Sequence, residues 1–240
     1  MTNIKVESSP QVYARIGGVA YLIIIVAGLI GEMFIRNAII VSGDAEATAH
    51  NIMASPLLWR IGIVGDLIMH VCDVILIMVF YVLLKPVNKN LALLAALFNL
   101  VQTAVLVANK MNLLLPLFLL GDGNYLNSFE PRQLQALAYL AVKAHGYGFG
   151  IGLIFFGFEC LVLGYLIYKS EYFPRILGVL MQIAGVCYLI NSFALILSPA
   201  FANLLFPLIL VPAFIAELSL CLWLLVKGVN ISVWNRIVNS

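Results

Sequence analysis

Charge is what this sequence has least of. Only 10% of its 240 residues are charged, whereas a soluble globular domain has about 25%. The net charge is +2, and the lysines and arginines form no basic cluster, so we expect no nucleic-acid partner. The length is taken up by apolar segments, which leaves no room for a soluble domain. We therefore expect residues 1–240 to form a single integral membrane domain.

The motifs of familiar enzymes are also missing. The sequence has no GxSxG, P-loop, Rossmann or HExxH pattern. Its cysteines form no CxxC pair and all lie in apolar runs, where we expect small buried side chains. They are Cys72, Cys160, Cys187 and Cys221. We expect no cofactor, and we favour a role without catalysis over an enzymatic one.

Apolar residues fill the chain, at 63% of the composition and a mean hydropathy of +1.07. A helix needs about 20 mostly apolar residues to cross a bilayer. Six segments satisfy this requirement, at residues 16–40, 59–84, 91–120, 140–168, 176–197 and 202–226. The first is too long for a signal peptide and has no evident cleavage site. The pattern predicts an all-α polytopic membrane helical bundle with six transmembrane helices.

Two of the connections contain helical patterns of their own. The stretch DAEATAHNIMA follows the first span, with Asp44 as its cap. The stretch FEPRQLQALAYL precedes the fourth span, with Pro131 in its first turn. We predict short interfacial helices here, both in outer loops.

The distribution of lysine and arginine predicts the orientation. Eight lie on the side of the termini: Lys5, Arg15, Lys85, Lys89, Lys169, Arg175, Lys227 and Arg236. Four lie on the other side: Arg36, Arg60, Arg132 and Lys143. Positive residues are enriched in cytoplasmic loops. We therefore expect a cell (plasma) membrane protein with cytoplasmic N- and C-termini.

Ionisable groups interrupt the apolar spans. The second span, RIGIVGDLIMHVCDVILIMVFYVLLK, contains Asp66, His70 and Asp73. Their spacing of i, i+4 and i+7 puts them on one helical face. A charge at mid-membrane costs about 2.5–3.5 kcal/mol on insertion scales, so such residues avoid lipid. We expect this face to meet other helices or a polar cavity.

Spacing suggests that other polar residues join this face. Glu32 and Arg36 form an i, i+4 pair, and His145 lies fourteen residues before Glu159 on the same helical face. Asn203 and Glu217 repeat the fourteen-residue spacing in the sixth span. A glycine seam on the fourth span lies roughly opposite its polar face. It consists of Gly150, Gly157 and Gly164, and we expect it to pack closely against another helix.

The depths of these residues predict a polar pocket that opens toward the outside, with acidic groups at its floor. Pro207 and Pro212 are expected to kink the sixth span beside it. The candidates for ligand or proton binding are Glu32, Arg36, Asp66, Asp73, Asn109, Lys110, His145, Glu159, Asn191 and Glu217.

A family resemblance is carried by the fourth and fifth spans, HGYGFGIGLIFFGFECLVLGYLIYKSEYFPRILGVL. The segments YARIGGVAYLIIIVAGLIGEMFIR, GDAEATAHNI, DVILIMVFYVLLKPVNKNLALLAALFNLVQ and PAFIAELSLCLWLLVKGV agree with it. Over nearly its whole length the chain resembles the bacterial membrane proteins of domain-of-unknown-function family 4386. The resemblance implies a multi-pass membrane protein and implies no reaction.

Three functions remain open from the sequence. The one we favour is a small transporter or ligand-binding membrane protein, proton-coupled through its intramembrane carboxylates, with the lipid bilayer and a small-molecule ligand as partners. A structural or accessory membrane subunit is the first alternative. An intramembrane metal-dependent hydrolase is the second; its weak metal candidates are His70 and His145, joined by Asp66, Asp73 and Glu217. No feature indicates an oligomeric state.

Overall fold

The structure is a computed structural model that describes residues 9–238. Six helices in this range are long and apolar enough to cross a membrane. They are span 1 (Pro10–Ile39), span 2 (Pro56–Leu84), span 3 (Lys89–Leu119), span 4 (Pro131–Lys169), span 5 (Arg175–Leu197) and span 6 (Leu208–Val226). No β-strand occurs in the described part of the chain. The chain is therefore an all-α multi-pass membrane bundle, as the sequence predicts.

Side-chain caps and prolines set the ends of the helices. Asp44 accepts a 2.9 Å hydrogen bond from the backbone N–H of Ala47 and begins the short helix Ala45–Ala54, as predicted. Asn88 caps span 3 in the same way. Spans 2 and 4 begin with proline, whose missing N–H is not needed in a first helical turn.

The six spans form a closed ring. Each packs against the next span along the chain, and span 6 packs against span 1. We call the end of the ring with Pro10, Leu84, Lys169 and Val226 the terminal face, and the opposite end the distal face. A ring of this kind surrounds a central axis, and side chains from all six helices can meet there.

Long-range hydrogen bonds hold the terminal face together. Arg15 donates to the carbonyl oxygens of Leu224 and Val226, at 3.3 and 3.0 Å. The buried hydroxyl of Tyr172, in the connection between spans 4 and 5, donates to the carbonyl oxygen of Leu83. Burial raises the pKa of Tyr172, so this hydroxyl keeps its proton and remains a donor. Lys5, counted above for the orientation, lies outside the described residues.

The predicted glycine seam of span 4 packs against span 5. A Cβ atom built on Gly157 would lie 3.1 Å from the carbonyl oxygen of Gly185. One built on Gly164 would lie 2.6 Å from the carbonyl oxygen of Gly178. The close packing expected of the seam is thus confirmed. Its counterpart on span 5, Gly178 and Gly185, is spaced by the same seven residues, so the two helices meet glycine to glycine.

Span 4 is longer than the sequence suggests. The stretch FEPRQLQALAYL is not a separate interfacial helix, because its helical residues from Pro131 onward are the first turns of one continuous helix that ends at Lys169. A capping box between Glu130 and Gln133 begins this helix. No proline or glycine occurs between Pro131 and His145, so nothing in the sequence separates the two predicted elements.

Span 6 is shorter than predicted. A helix at Pro199–Leu205 ends before Pro207, and the span itself begins at Leu208. Asn203 therefore lies on a different helix from Glu217, and the proposal that they share a helical face is wrong. Pro207 separates two helices instead of kinking one. Pro212 lies in the first turn of Val211–Val226, where proline is tolerated without a kink.

Candidate functional site

Asp66 of span 2 is fully buried and binds two cations. Its Oδ2 atom accepts hydrogen bonds from Nη1 of Arg36 at 2.9 Å and from Nζ of Lys110 at 2.8 Å. A buried carboxylate needs compensation of this kind, because removing a charge from water costs several kcal/mol. Since Arg36 belongs to span 1 and Lys110 to span 3, the three residues join three neighbouring helices.

Local departures from α-helical geometry accompany these residues. Span 1 forms a π-helix at Ile30–Arg36, a feature that often occurs at functional positions. Span 3 is interrupted at Lys110, between its α-helices Lys89–Asn109 and Met111–Leu119. Gly31 leaves room for the ion pair, since a Cβ atom there would lie 3.1 Å from Oδ1 of Asp66.

Glu32 adds a second carboxylate to Arg36. Nε of Arg36 donates a 2.7 Å hydrogen bond to Oε2 of Glu32, which is the i, i+4 pair expected from the sequence. The side chain of Glu32 is 54% exposed, in contrast to the buried Asp66. The Glu32–Arg36 contact is therefore the peripheral part of this network.

His145 and Asn109 extend the network to span 4. Nε2 of His145 lies 3.4 Å from Nζ of Lys110, and the amide of Asn109 donates a 2.8 Å hydrogen bond to the carbonyl oxygen of His145. Gly148 permits this approach, because a Cβ atom there would lie 2.2 Å from Oδ1 of Asn109. We call the set Glu32, Arg36, Asp66, Asn109, Lys110 and His145 the distal cluster.

His70 and Asp73 form a second buried pair on span 2. Nδ1 of His70 lies 2.9 Å from Oδ2 of Asp73. Nε2 of His70 has no hydrogen-bond partner among the described residues. Both side chains are buried, and they lie about one turn (His70) and two turns (Asp73) beyond Asp66 along the helix.

Glu159 of span 4 is buried, and only one of its carboxyl oxygens is bound. Oε1 accepts a 2.8 Å hydrogen bond from the amide of Asn99 on span 3. Thr103 donates in turn to Oδ1 of Asn99 at 3.1 Å, which orients the amide. Oε2 of Glu159 has no partner within residues 9–238. The site thus contains a buried oxygen that can accept a hydrogen bond.

Glu217 of span 6 is half-buried near the middle of its helix. Its Oε1 atom accepts a hydrogen bond from the hydroxyl of Tyr188 on span 5. The ring of Tyr188 packs against Phe156, with 5.1 Å between centroids. Two neighbouring spans therefore hold the Glu217 side chain.

These carboxyl groups meet at a small central cavity. All six spans contribute to its wall. In order from span 1 to span 6, the lining residues are Tyr21 and Ile24; Asp73, Leu76 and Phe80; Asn99; Phe156, Glu159 and Leu163; Met181; and Glu217. No lysine or arginine of the described chain is among the lining residues. Three carboxyl groups thus share one cavity on the axis of the ring.

A second small cavity begins at Glu159 and extends toward the terminal face. It shares Phe80, Glu159 and Leu163 with the central cavity, and it reaches Leu84 and Ala92 near the ends of spans 2 and 3. Glu159 therefore lies at the boundary between the two cavities.

The candidates predicted from the sequence fall into two groups. Six of them make up the distal cluster, and Asp73, Glu159 and Glu217 line the central cavity. Asn191 joins neither group: it is half-buried on span 5 and is not among the residues that line the central cavity. The central cavity thus has three of the predicted carboxyl groups in its wall, whereas the distal candidates pair mainly with one another.

Sequence reasoning did not select three residues of the central site. Asn99 shares one broad face of span 3 with Gln102, Thr103, Asn109 and Lys110, so its spacing in the sequence is a usable signal. Tyr21 and Tyr188 are isolated aromatic residues in apolar helices, and no spacing distinguishes them from packing residues. Only the closed ring brings them next to Glu217.

A metal site would need several ligands at one point. Within residues 9–238, no group of three or more histidine, cysteine, aspartate or glutamate side chains could hold an ion. His70 and His145 have different partners, Asp73 and Lys110. The convergence that the hydrolase alternative requires is not present in the described structure.

Comparison with known proteins identifies relatives without an assigned activity. The family described as "Domain of unknown function (DUF4386)" matches residues 16–228. A protein of Archaeoglobus fulgidus, described as an uncharacterized protein, is 29% identical over 170 residues, which cover 71% of this chain and 85% of that protein. No solved structure matches the chain significantly.

Proposed function

Since the chain belongs to the DUF4386 family, whose description names no activity, we propose its function from the central cavity: a small proton-coupled transporter of the cell membrane. The cavity is its binding site, and Asp73, Glu159 and Glu217 are its proton-binding groups. The ligand is a small molecule that reaches this cavity from either surface of the membrane.

The observation that carries the proposal is the imbalance of charge around the cavity. Three carboxyl groups line it, and their hydrogen-bond partners in the described structure include no lysine or arginine: they are His70, Asn99, Tyr188 and Tyr21. Ionised carboxylates without cations are costly in a low-dielectric interior. The cavity must therefore take up positive charge, as protons or as a ligand, and intramembrane carboxylates of this kind are typical of proton relays.

The position of Glu159 supports transport over simple binding. Asn99 holds one oxygen of Glu159, the other has no hydrogen-bond partner among residues 9–238, and the residue lines both cavities. We propose that a proton or ligand bound to Glu159 is exchanged with either cavity. We propose that the terminal face is cytoplasmic, because eight of the thirteen lysines and arginines lie on that side in the sequence.

The distal cluster fits a structural role better. Asp66 binds Arg36 and Lys110 directly, so the buried charges compensate one another without a ligand. Its contacts tie spans 1, 2 and 3 together beside the cavity. We propose that it stabilises the distal half of the ring and does not bind the transported molecule.

Carboxyl-reactive labelling from each membrane side tests the proposal. Sealed vesicles containing the full chain are treated with a membrane-impermeant, water-soluble carbodiimide and an amine tag, in right-side-out and inside-out orientations. Mass spectrometry then identifies the modified residues. Glu46 on the distal face and Glu171 on the terminal face are exposed and serve as controls for sidedness. A transporter should expose Glu159 or Glu217 to the reagent from both sides.

The outcomes separate transport from a structural role. If Glu46 and Glu171 are each labelled from a single side while the cavity glutamates are labelled from both, the cavity has access to both faces. Labelling of the cavity glutamates from neither side, with both controls modified, would show a closed interior and would overturn the proposal.

A further inference from the structure

We infer that the central cavity binds a small protonated alkylamine, which it exchanges for protons. This inference rests on the proposed function of the cavity and adds the chemical class of its ligand. Three properties of the wall support it: an unpaired acceptor, an excess of acidic groups, and aromatic and apolar surfaces beside them.

The unpaired acceptor is Oε2 of Glu159. It is buried and has no hydrogen-bond partner within residues 9–238, and Glu159 is a lining residue of the cavity. A buried acceptor left without a donor costs about 1–3 kcal/mol, more for a charged group. A ligand that satisfies it must bring an N–H or O–H group to this point. An ammonium group brings three such donors together with a positive charge.

The excess of carboxyl groups over cationic side chains in the wall favours a positively charged ligand. Asp73 and Glu217 line the same space as Glu159. Lys110 and Arg36 belong to the distal cluster and bind Asp66. One ammonium group beside Glu159 would supply positive charge that the lining residues do not provide, and protons would supply it when the ligand leaves.

Groups from five spans determine how this exchange depends on pH. Those that face the cavity carboxyls are Tyr21 of span 1, His70 and Asp73 of span 2, Glu159 and Cys160 of span 4, Tyr188 of span 5 and Glu217 of span 6. Span 3 contributes the neutral Asn99. Because Asp73, Glu159 and Glu217 are the groups here that can carry negative charge, proton uptake by these carboxyls should compete with binding of a cation.

Aromatic and apolar side chains form the rest of the wall. Tyr21 and Phe80 meet edge to face, with 6.5 Å between centroids, and Phe156 is a third aromatic lining residue. Ring faces attract cations, most strongly where water is excluded. Leu76 and Met181 supply apolar surface for a short alkyl chain. The wall therefore matches both ends of an alkylammonium ion.

Other cations fit less well. A quaternary ammonium ion has no N–H group, so it leaves Oε2 of Glu159 unsatisfied. An inorganic ion is held by several ligands at one point, and the described residues contain no group of three acidic, histidine or cysteine side chains arranged in that way. The expected selectivity is alkylammonium over quaternary ammonium and over sodium.

Calorimetry on the purified full chain in detergent tests this order. The probes are butylammonium and tetramethylammonium chloride, which are isomeric cations of equal charge, together with sodium chloride. Butylammonium should bind best. Glu159→Gln should weaken its binding about tenfold or more, since an ionic hydrogen bond is lost. The control Glu32→Gln, in the distal cluster, should change affinity by about twofold or less.

A measurement on the unmodified protein covers the case in which Glu159→Gln does not fold. Butylammonium should protect Glu159 from a hydrophobic carbodiimide, whereas tetramethylammonium should not. Equal binding or protection by the two isomers would overturn the assignment of an N–H donor to Glu159. If no ammonium ion binds while the cavity glutamates are labelled from both membrane sides, the ligand class is wrong and the proposed transport function still stands.

Discussion

Gly164 of span 4 and Gly178 of span 5 lie against each other with no space for a side chain on either. A Cβ atom on Gly178 would lie 2.5 Å from the carbonyl oxygen of Gly164. Backbone atoms cannot move aside as the end of a flexible side chain can. This contact sets the distance between the two helices that bear Glu159 and Tyr188, and so it also fixes part of the cavity wall.

Gly164→Ala should destabilise the protein. The new methyl group would lie 2.6 Å from the carbonyl oxygen of Gly178, which forces the helices apart. Overpacking of this kind costs about 1–3 kcal/mol, and thermal unfolding in detergent should show a lower midpoint. Gly146→Ala on the same helix is the matched control, because no atom lies within 4 Å of its Cβ position. Equal midpoints for the two variants would contradict the packing described here.

Asp66→Asn should be among the most damaging single changes in the distal cluster. The asparagine keeps the shape of the side chain but leaves Lys110, which is buried, without its carboxylate. Breaking a buried ion pair costs about 3–5 kcal/mol. Unfolding in detergent, followed by intrinsic fluorescence, measures the loss.

Two further variants control the Asp66 measurement. Glu32→Gln removes a half-exposed partner of Arg36 and should cost about 1 kcal/mol or less. Adding Lys110→Met to Asp66→Asn removes the unpaired charge and should restore part of the stability. If the double variant is no more stable than Asp66→Asn, burial of the Lys110 charge is not the source of the loss.

Much of the fold could be predicted from the sequence because apolar length is a strong local signal. All six spans end within one residue of their predicted ends, and spans 2, 3 and 5 begin within three residues of their predicted starts. The larger differences at Pro131 and Leu208 have physical causes. A capping box allows span 4 to begin in a polar part of the sequence. Pro207 follows the helix Pro199–Leu205 and divides an apolar segment that the sequence predicts as one helix.

The site was less predictable because it depends on which helices are neighbours. Helical periodicity brought His145 and Glu159 to one face, but it could not show that they have different partners, Lys110 and Asn99. The π-helix that positions Arg36 has no signature in the residues Ile30–Arg36 themselves. Contacts across the ring are long-range properties, and one sequence does not determine them by spacing alone.

Topology reporters should place both termini on the same side of the membrane. Lysine and arginine counts of eight against four predict that this side is cytoplasmic. A fusion after Ser240, which lies outside the described residues, should report the cytoplasm. A fusion within Asn124–Ser128, between spans 3 and 4, should report the opposite compartment. The same compartment for both fusions would contradict the arrangement of the spans.

Glu217→Gln should fold normally but lose a titrating group. Its amide oxygen can still accept the hydrogen bond from Tyr188, and the amide occupies nearly the same volume, so the thermal midpoint should stay close to that of the unmodified protein. Infrared spectra recorded from mildly acidic to mildly alkaline pH report protonated carboxyl groups directly. The band that changes with pH should be smaller in this variant.

Tyr188→Phe distinguishes loss of the carboxyl from loss of its hydrogen bond. It removes the donor to Glu217 but keeps the titrating group, so the infrared band should remain and only its position should change. Butylammonium binding should stay pH-dependent in Tyr188→Phe and become less so in Glu217→Gln, since protons compete with the cation for the cavity carboxyls. If pH-dependent binding is fully retained in Glu217→Gln, Glu217 is a structural partner of Tyr188, and proton coupling must depend on Asp73 and Glu159 alone.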